Sequence, residues 1–212
     1  KQVYHPMKRR ILASLCALSL ALCLAPMAWA ADYTDVKDGA WYADAVQTVT
    51  DKGLMNGTNA TSFSPSAYVT RATVVTVLWR LEGCPEPASQ TGFPDVAAGS
   101  WCDQAVRWAK ETQIADGYSD GRLGADDPVT REQLALFLSR YTYYKGHTLA
   151  EGMLTLYPDG DKVSKWAVDG MKHAVGAGLI TGTSAGTLSP LGYTTRAELA
   201  VILVRMLTPA AG

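Results

Sequence analysis

Histidine is nearly absent from this chain, cysteine is scarce, and neither falls at a metal-ligand spacing. Of 212 residues three are histidines (His5, His147, His173) and four are cysteines, with Cys16 and Cys23 inside the first thirty. The remaining Cys84, Cys102, His147 and His173 match no zinc pattern, so no metal is expected. No nucleophile motif surrounds either histidine. A Cys102–His pairing is the one arrangement that would support an enzyme, and the expectation is that the chain has no catalytic residue and no cofactor. Basic runs are missing too. Four of the 19 basic residues (Lys1, Lys8, Arg9, Arg10) and none of the 20 acidic ones precede residue 31, which leaves the remainder near −5. A nucleic-acid surface needs a basic stripe, so nucleic acid is excluded as a partner and any anion must be recognised locally.

The chain also lacks an apolar run long enough to span a bilayer, since Ile11 to Leu24 falls short of the ~20 residues required. With Lys8, Arg9 and Arg10 before it and Ala28-Trp29-Ala30 after it, that run reads as a secretory signal peptide over 1–30. Cleavage is expected after Ala30, with Met7 as the true start, residues 1–6 upstream of it, and no membrane span left after removal. Export permits a Cys84–Cys102 disulfide, but spacing leaves the bridge and two thiols equally open.

What is there is one unit written three times. Asp35, Asp95 and Asp159 precede Trp41, Trp101 and Trp166. Each tryptophan opens an amphipathic stretch that gives way to a turn ending in Gly57, Gly117 or Gly182. A large apolar residue follows (Phe63, Leu123, Leu188), then Thr-Arg at 70–71, 130–131 and 195–196, then a second apolar helix. Repeats at a constant offset are the mark of a tandem architecture. Its units are read as 31–82, 92–144 and 156–208, with Gly83–Gly92 and Lys145–Thr155 as exposed linkers. One helix pair cannot bury both apolar faces alone, so the three are expected to pack as one body.

Local signals place the helix ends. Gly53-Leu54 and Gly178-Leu179 are C-terminal stop signals, whereas the second unit has Gln113-Ile114, so its helix either ends differently or bears a small strain there. Thr130 with Gln133 and Thr195 with Glu198 form capping boxes; Thr70 with Thr73 keeps only the cap. Pro65 and Pro190 stiffen the approach to the second helix, where the second unit has Ala125.

Arg71, Arg131 and Arg196 sit at the first helical position, where a cation is disfavoured by roughly 0.3–1 kcal/mol. Free helix N–H groups plus a guanidinium fork would make a compact anion site suited to a carboxylate. The alternative is an internal salt bridge to Asp35, Asp95 or Asp159 of the same or a neighbouring unit, and the two can coexist at one glycan-binding site, with the aspartate orienting the arginine. Trp41, Trp101 and Trp166 could stack on sugar rings, although packing between elements is the commoner use and is the expectation. Gly57, Gly117 and Gly182 are expected to supply a positive φ, with close approach by a ligand as the sharper alternative. Asp116, Asp120, Gly121 and Asp127 fall at positions of an EF-hand loop, but Tyr118 stands where an oxygen ligand is needed, so an Asp-Gly turn is the reading.

The pattern Asp-Val…Trp…Gly-Leu-x-x-Gly…Thr-Arg-Ala-Glu, closest in the third unit at Thr195-Arg196-Ala197-Glu198, resembles the S-layer homology domain of bacterial surface proteins. The resemblance covers nearly everything after residue 30. It implies an all-α body of three helix-loop-helix repeats about a pseudo-threefold axis, with ligand grooves between neighbours. It further implies a non-catalytic anchor at the surface of a Gram-positive-type wall. The partner would be a secondary cell-wall polymer or peptidoglycan-linked polysaccharide, often bearing pyruvylated sugars whose carboxylate suits Arg71, Arg131 and Arg196. Thr73, Gln113 and Ala125 depart from the pattern, which puts equal occupancy of the grooves in question. The alternative is a surface assembly subunit acting through self-association or another surface protein.

Overall fold

The computed structural model describes residues 33–148 and 151–208, and the signal peptide read from the sequence lies outside them. Among the described residues there are six α-helices and no strand, in three pairs: α1 (Ala43–Asp51) and α2 (Arg71–Leu81), α3 (Asp103–Glu111) and α4 (Arg131–Tyr144), α5 (Val168–Gly176) and α6 (Arg196–Leu207). Short 3-10 turns at Leu154–Leu156, Gly160–Lys162 and Lys165–Ala167 lead into α5. No helix among the described residues is long and apolar enough to cross a membrane.

The first helix of each pair buries one stripe, and the stripes are in register. Ala45, Val46 and Val49 of α1 correspond to Ala105, Val106 and Ala109 of α3 and to Gly170, Met171 and Ala174 of α5. None has a side-chain cap, but Asp44, Asp103 and Asp169 lie in their first turns, where a negative charge complements the helix dipole. They end as the sequence signals. Gly53 (φ 65°) and Gly178 (φ 66°) are left-handed, and Leu54 and Leu179 donate back to Val49 and Ala174 (2.9 Å each). Gln113 adopts the same conformation (φ 60°) without being glycine, a strain of about 1 kcal/mol.

Each second helix starts on a threonine cap. Complete capping boxes are present at Thr130/Gln133 and Thr195/Glu198, while Thr70 Oγ1 accepts from the Thr73 N–H and meets the Thr73 hydroxyl without the reciprocal bond to its own N–H. These helices pack on the next unit rather than their own: α2 on α3, α4 on α5, and α6 back on α1. Gly170 lets α5 approach closely, since a Cβ there would sit 3.0 Å from Leu136 Cα.

Closure is completed on the axis. Val69 N–H donates to Thr194 C=O, Thr194 N–H to Val129 C=O, and Val129 N–H to Val69 C=O, at 3.0, 3.0 and 2.9 Å. The ring is threefold in backbone but not in side chain. Thr194 is fully buried where the other units have valine, and its hydroxyl has no partner in the protein. The Gly83–Gly92 linker is tied down rather than loose, with Trp79 Nε1–H donating to Pro85 C=O and Glu111 accepting from the Ala88 and Ser89 N–H groups.

Candidate functional site

The residues singled out by the repeat converge on one backbone position per unit. Asp35 accepts from the N–H of Phe63 and Ser64, Asp95 from Leu123, Gly124 and Ala125, and Asp159 from Leu188 and Ser189, all at 2.7–3.1 Å. The carbonyls of the same residues accept an arginine Nε from the preceding unit. Arg71 reaches Leu123 at 2.6 Å, Arg131 reaches Leu188 at 2.7 Å, and Arg196 reaches Phe63 at 2.7 Å. Thus aspartate and arginine hold opposite faces of one peptide segment and do not pair with each other. The expected alternative of an Arg–Asp salt bridge gives way to this clasp.

The helix amides are also committed. Arg71, Arg131 and Arg196 N–H donate to Asp127, Gly192 and Ala67, and the next residues donate to Ala125, Pro190 and Pro65. The anion site of free amides expected at these helix starts is therefore absent, because carbonyls of the next unit satisfy them. Pro65 and Pro190 suit the acceptor position, since proline needs no partner for an N–H there.

Burial pulls all three guanidiniums below the ordinary arginine range. For Arg131 the nearby Glu198 carboxylate opposes that shift, with Nη1–Oε1 at 3.1 Å. Burial would raise Asp95, but the N–H groups of Leu123, Ala125 and Gly124 outweigh it and hold that carboxyl below the usual range.

Outward from two of the three clasps a groove opens that draws on all three units. The third groove, about 400 Å³, is lined by Thr181, Glu198 and Arg205 of the third unit, by Arg131 of the second, and by Trp41 of the first. The first groove, about 150 Å³, repeats this with Thr73, Thr76 and Arg80, Arg196 from the third unit, and Trp101 from the second.

A profile of the S-layer homology domain matches residues 32–75, 92–135 and 156–200, more than half of the chain. The chain belongs to the S-layer homology domain family. Among its relatives, the exoglucanase XynX of Acetivibrio thermocellus is 29% identical over 180 residues (82% of this chain, 16% of the relative). The surface-layer 125 kDa protein of Lysinibacillus sphaericus is 29% identical over 197 residues (91% and 16%). The amylopullulanase of Thermoanaerobacterium thermosulfurigenes is 28% identical over 180 residues (82% and 9%). The chain thus spans less than a fifth of the length of these relatives. Family and relatives together make this a secreted, cell-surface protein.

Within this S-layer homology array the tryptophans contradict the core expectation. Trp41, Trp101 and Trp166 are 68%, 64% and 54% exposed. The reason lies in where the helices begin. α1 and α3 start two residues after the tryptophan, and Trp166 sits in a 3-10 turn, so none lies on a buried helical face. Trp108 is buried in the core, and Trp79 is partly buried against that core.

The glycines divide. Gly117 has the expected positive φ (78°), whereas Gly57 and Gly182 do not. Crowding constrains those two instead. A Cβ on Gly57 would lie 2.5 Å from the Tyr33 ring, whose hydroxyl accepts the Gly57 N–H, and one on Gly182 would lie 3.1 Å from Tyr157.

No disulfide joins Cys84 and Cys102. Cys102 is buried at the start of α3 beside Ser100, and burial pushes its thiol above the ordinary range.

The second groove differs from the others. Tyr118 stands where they have Thr58 and Thr183, and with Phe137 it packs on the Arg71 guanidinium, with centroids at 4.5 and 5.0 Å. Arg140 pairs with Asp116 at 2.5 Å, whereas Arg80 and Arg205 donate to the Leu54 and Leu179 carbonyls at 3.0 Å. Sequence reasoning passed over Arg80, Arg140 and Arg205 as helix ends, although their equal offsets were visible.

Proposed function

We propose that this chain is a non-catalytic anchoring module that holds an anionic cell-wall glycan in its first and third grooves. What supports this above all is the pairing, in each of those grooves, of an exposed tryptophan with two arginines from different units. An indole face suits the apolar side of a pyranose, and guanidinium groups suit a carboxylate substituent such as a pyruvyl ketal.

The lining charges rank the grooves. Arg80 and Arg196 face no carboxylate among the residues lining the first groove, whereas Glu198 offsets Arg131 and Arg205 in the third. Thr73 stands in the first groove where the third has Glu198, so the departure from the motif leaves that groove more cationic.

The test is co-sedimentation of the secreted protein with purified cell walls, before and after chemical removal of the secondary polymer. A Trp41→Ala/Trp101→Ala variant serves as control, because Arg71, Arg131 and Arg196 hold the fold and their loss would be ambiguous. Pelleting that requires both the polymer and the tryptophans is the expected outcome. Pelleting that survives the double substitution would overturn the groove reading. A protein that stays in solution yet self-associates in sedimentation velocity would make it an assembly subunit.

A further inference from the structure

Adjoining the filled second groove, and sharing Asp116 and Arg140 with it, lies a cleft that anionic-glycan binding does not use. It encloses about 890 Å³ between the end of α3, the C-terminal half of α4 and His173 of α5. No aliphatic side chain lines it; apart from Gly146, every lining residue ends in a hydroxyl, amide, carboxylate, imidazole or guanidinium. A peptide groove would offer apolar anchor pockets, and this cleft has none of the aliphatic kind.

Its fixed charges cancel. Arg140 and Asp116 pair at 2.5 Å, and no other lysine, arginine, aspartate or glutamate lines the cleft. An acidic ligand would find the guanidinium already partnered. Ser139 Oγ lies 2.9 Å from His173 Nδ1, which links α4 to α5 and fixes the imidazole. Tyr144 is held edge-on by Trp108 at 5.7 Å, while Tyr143 is 85% exposed.

Planar polar groups beside an open aromatic ring suit a pyranose, whose hydroxyls take paired hydrogen bonds while its C–H face rests on the ring. The other two junctions cannot form this cleft. α4 has 14 residues against 11 in α2 and 12 in α6, and the counterparts of Ser139 are Trp79 and Val204.

We propose that this cleft is a second saccharide site, chemically distinct from the grooves, that takes an uncharged hexopyranose segment of a glycan. The proposal stands apart from the groove reading, and its test reads different nuclei. Neutral tri-N-acetylglucosamine and acidic glucuronic acid are titrated separately into the secreted protein. Imidazole ring signals of His147 and His173, assigned with His147→Asn, are followed by NMR alongside the tryptophan indole signals.

The expected result is a saturable shift of the His173 ring with the neutral trisaccharide, smaller with glucuronic acid and unchanged by Trp101→Ala. Tyr143→Ala, at an exposed position that leaves the fold intact, should weaken that binding about tenfold. The proposal is overturned if the His173 ring does not move, if glucuronic acid moves it equally, or if Tyr143→Ala leaves the titration unchanged. Groove binding is reported by the indole signals, so its failure and that of the cleft are separable.

Discussion

The first and second grooves come from the same repeat, yet one is open and cationic and the other is filled and neutral. At the first, Arg196 and Arg80 meet threonines, an asparagine carbonyl and the exposed Trp101. At the second, Tyr118 and Phe137 cover Arg71, and Asp116 takes Arg140. Three positions account for the change: Thr58 against Tyr118, Val77 against Phe137, and Asn56 against Asp116. The bond from arginine Nε to the loop carbonyl and the aspartate grip on the loop amides recur in both, which separates what an arginine does for the fold from what the groove around it can offer a ligand.

The sharpest way to test that separation is to remove a clasp arginine. Arg131→Ala would orphan the Leu188 and Thr181 carbonyls and leave Glu198 without its cation, so a loss of about 3 kcal/mol is expected in urea denaturation. A loss of wall binding with unchanged stability would break the division between clasp and groove. Next in size, Trp101→Ala should weaken wall binding roughly tenfold, while Trp166→Ala, which lines neither open groove, should change it little in the same pelleting assay. Equal effects would mean that the second groove is open after all.

Within the body, Thr194→Val would match the valines of the other two units and remove a buried hydroxyl without a partner. A gain of about 1 kcal/mol is expected by thermal unfolding. The smallest effect is a pH dependence. Asp95 has its folded pKa depressed, so its contribution is present above its unfolded value of about 3.9 and is lost as pH falls through the lower folded value. Asp95→Asn should flatten the acid limb of a stability-against-pH curve in that window, and an unchanged limb would remove Asp95 as its source.

Much of the fold was legible because its signals are local. Gly53, Gly178 and Gln113 marked helix ends, Thr130 and Thr195 marked starts, and the constant offsets gave the three-unit, all-helical body. The site was legible as a set of residues but not as a geometry. Helical periodicity placed Trp41 on a buried face because nothing in the sequence fixes the helix start at Ala43 rather than two residues earlier. The commitment of the arginine amides could not be read either. It depends on carbonyls of the next unit, up to 130 or so positions away, which no local pattern reports. The filling of the second groove was visible in principle, since Tyr118 breaks the threonine of the other units.

Ring closure also governs the order in which the molecule can be made. Arg196 bonds Phe63 across 133 residues of chain, and Val69 waits for Thr194 to complete the axis. A chain emerging from its N-terminus therefore carries a first unit whose loop carbonyl, helix face and axial amide all lack their partners until the last helix arrives. Contacts of such long range make folding late and cooperative. The ring is latched by its third unit, because Arg196 and Thr194 complete the bonds that Phe63 and Val69 of the first unit cannot make within their own repeat.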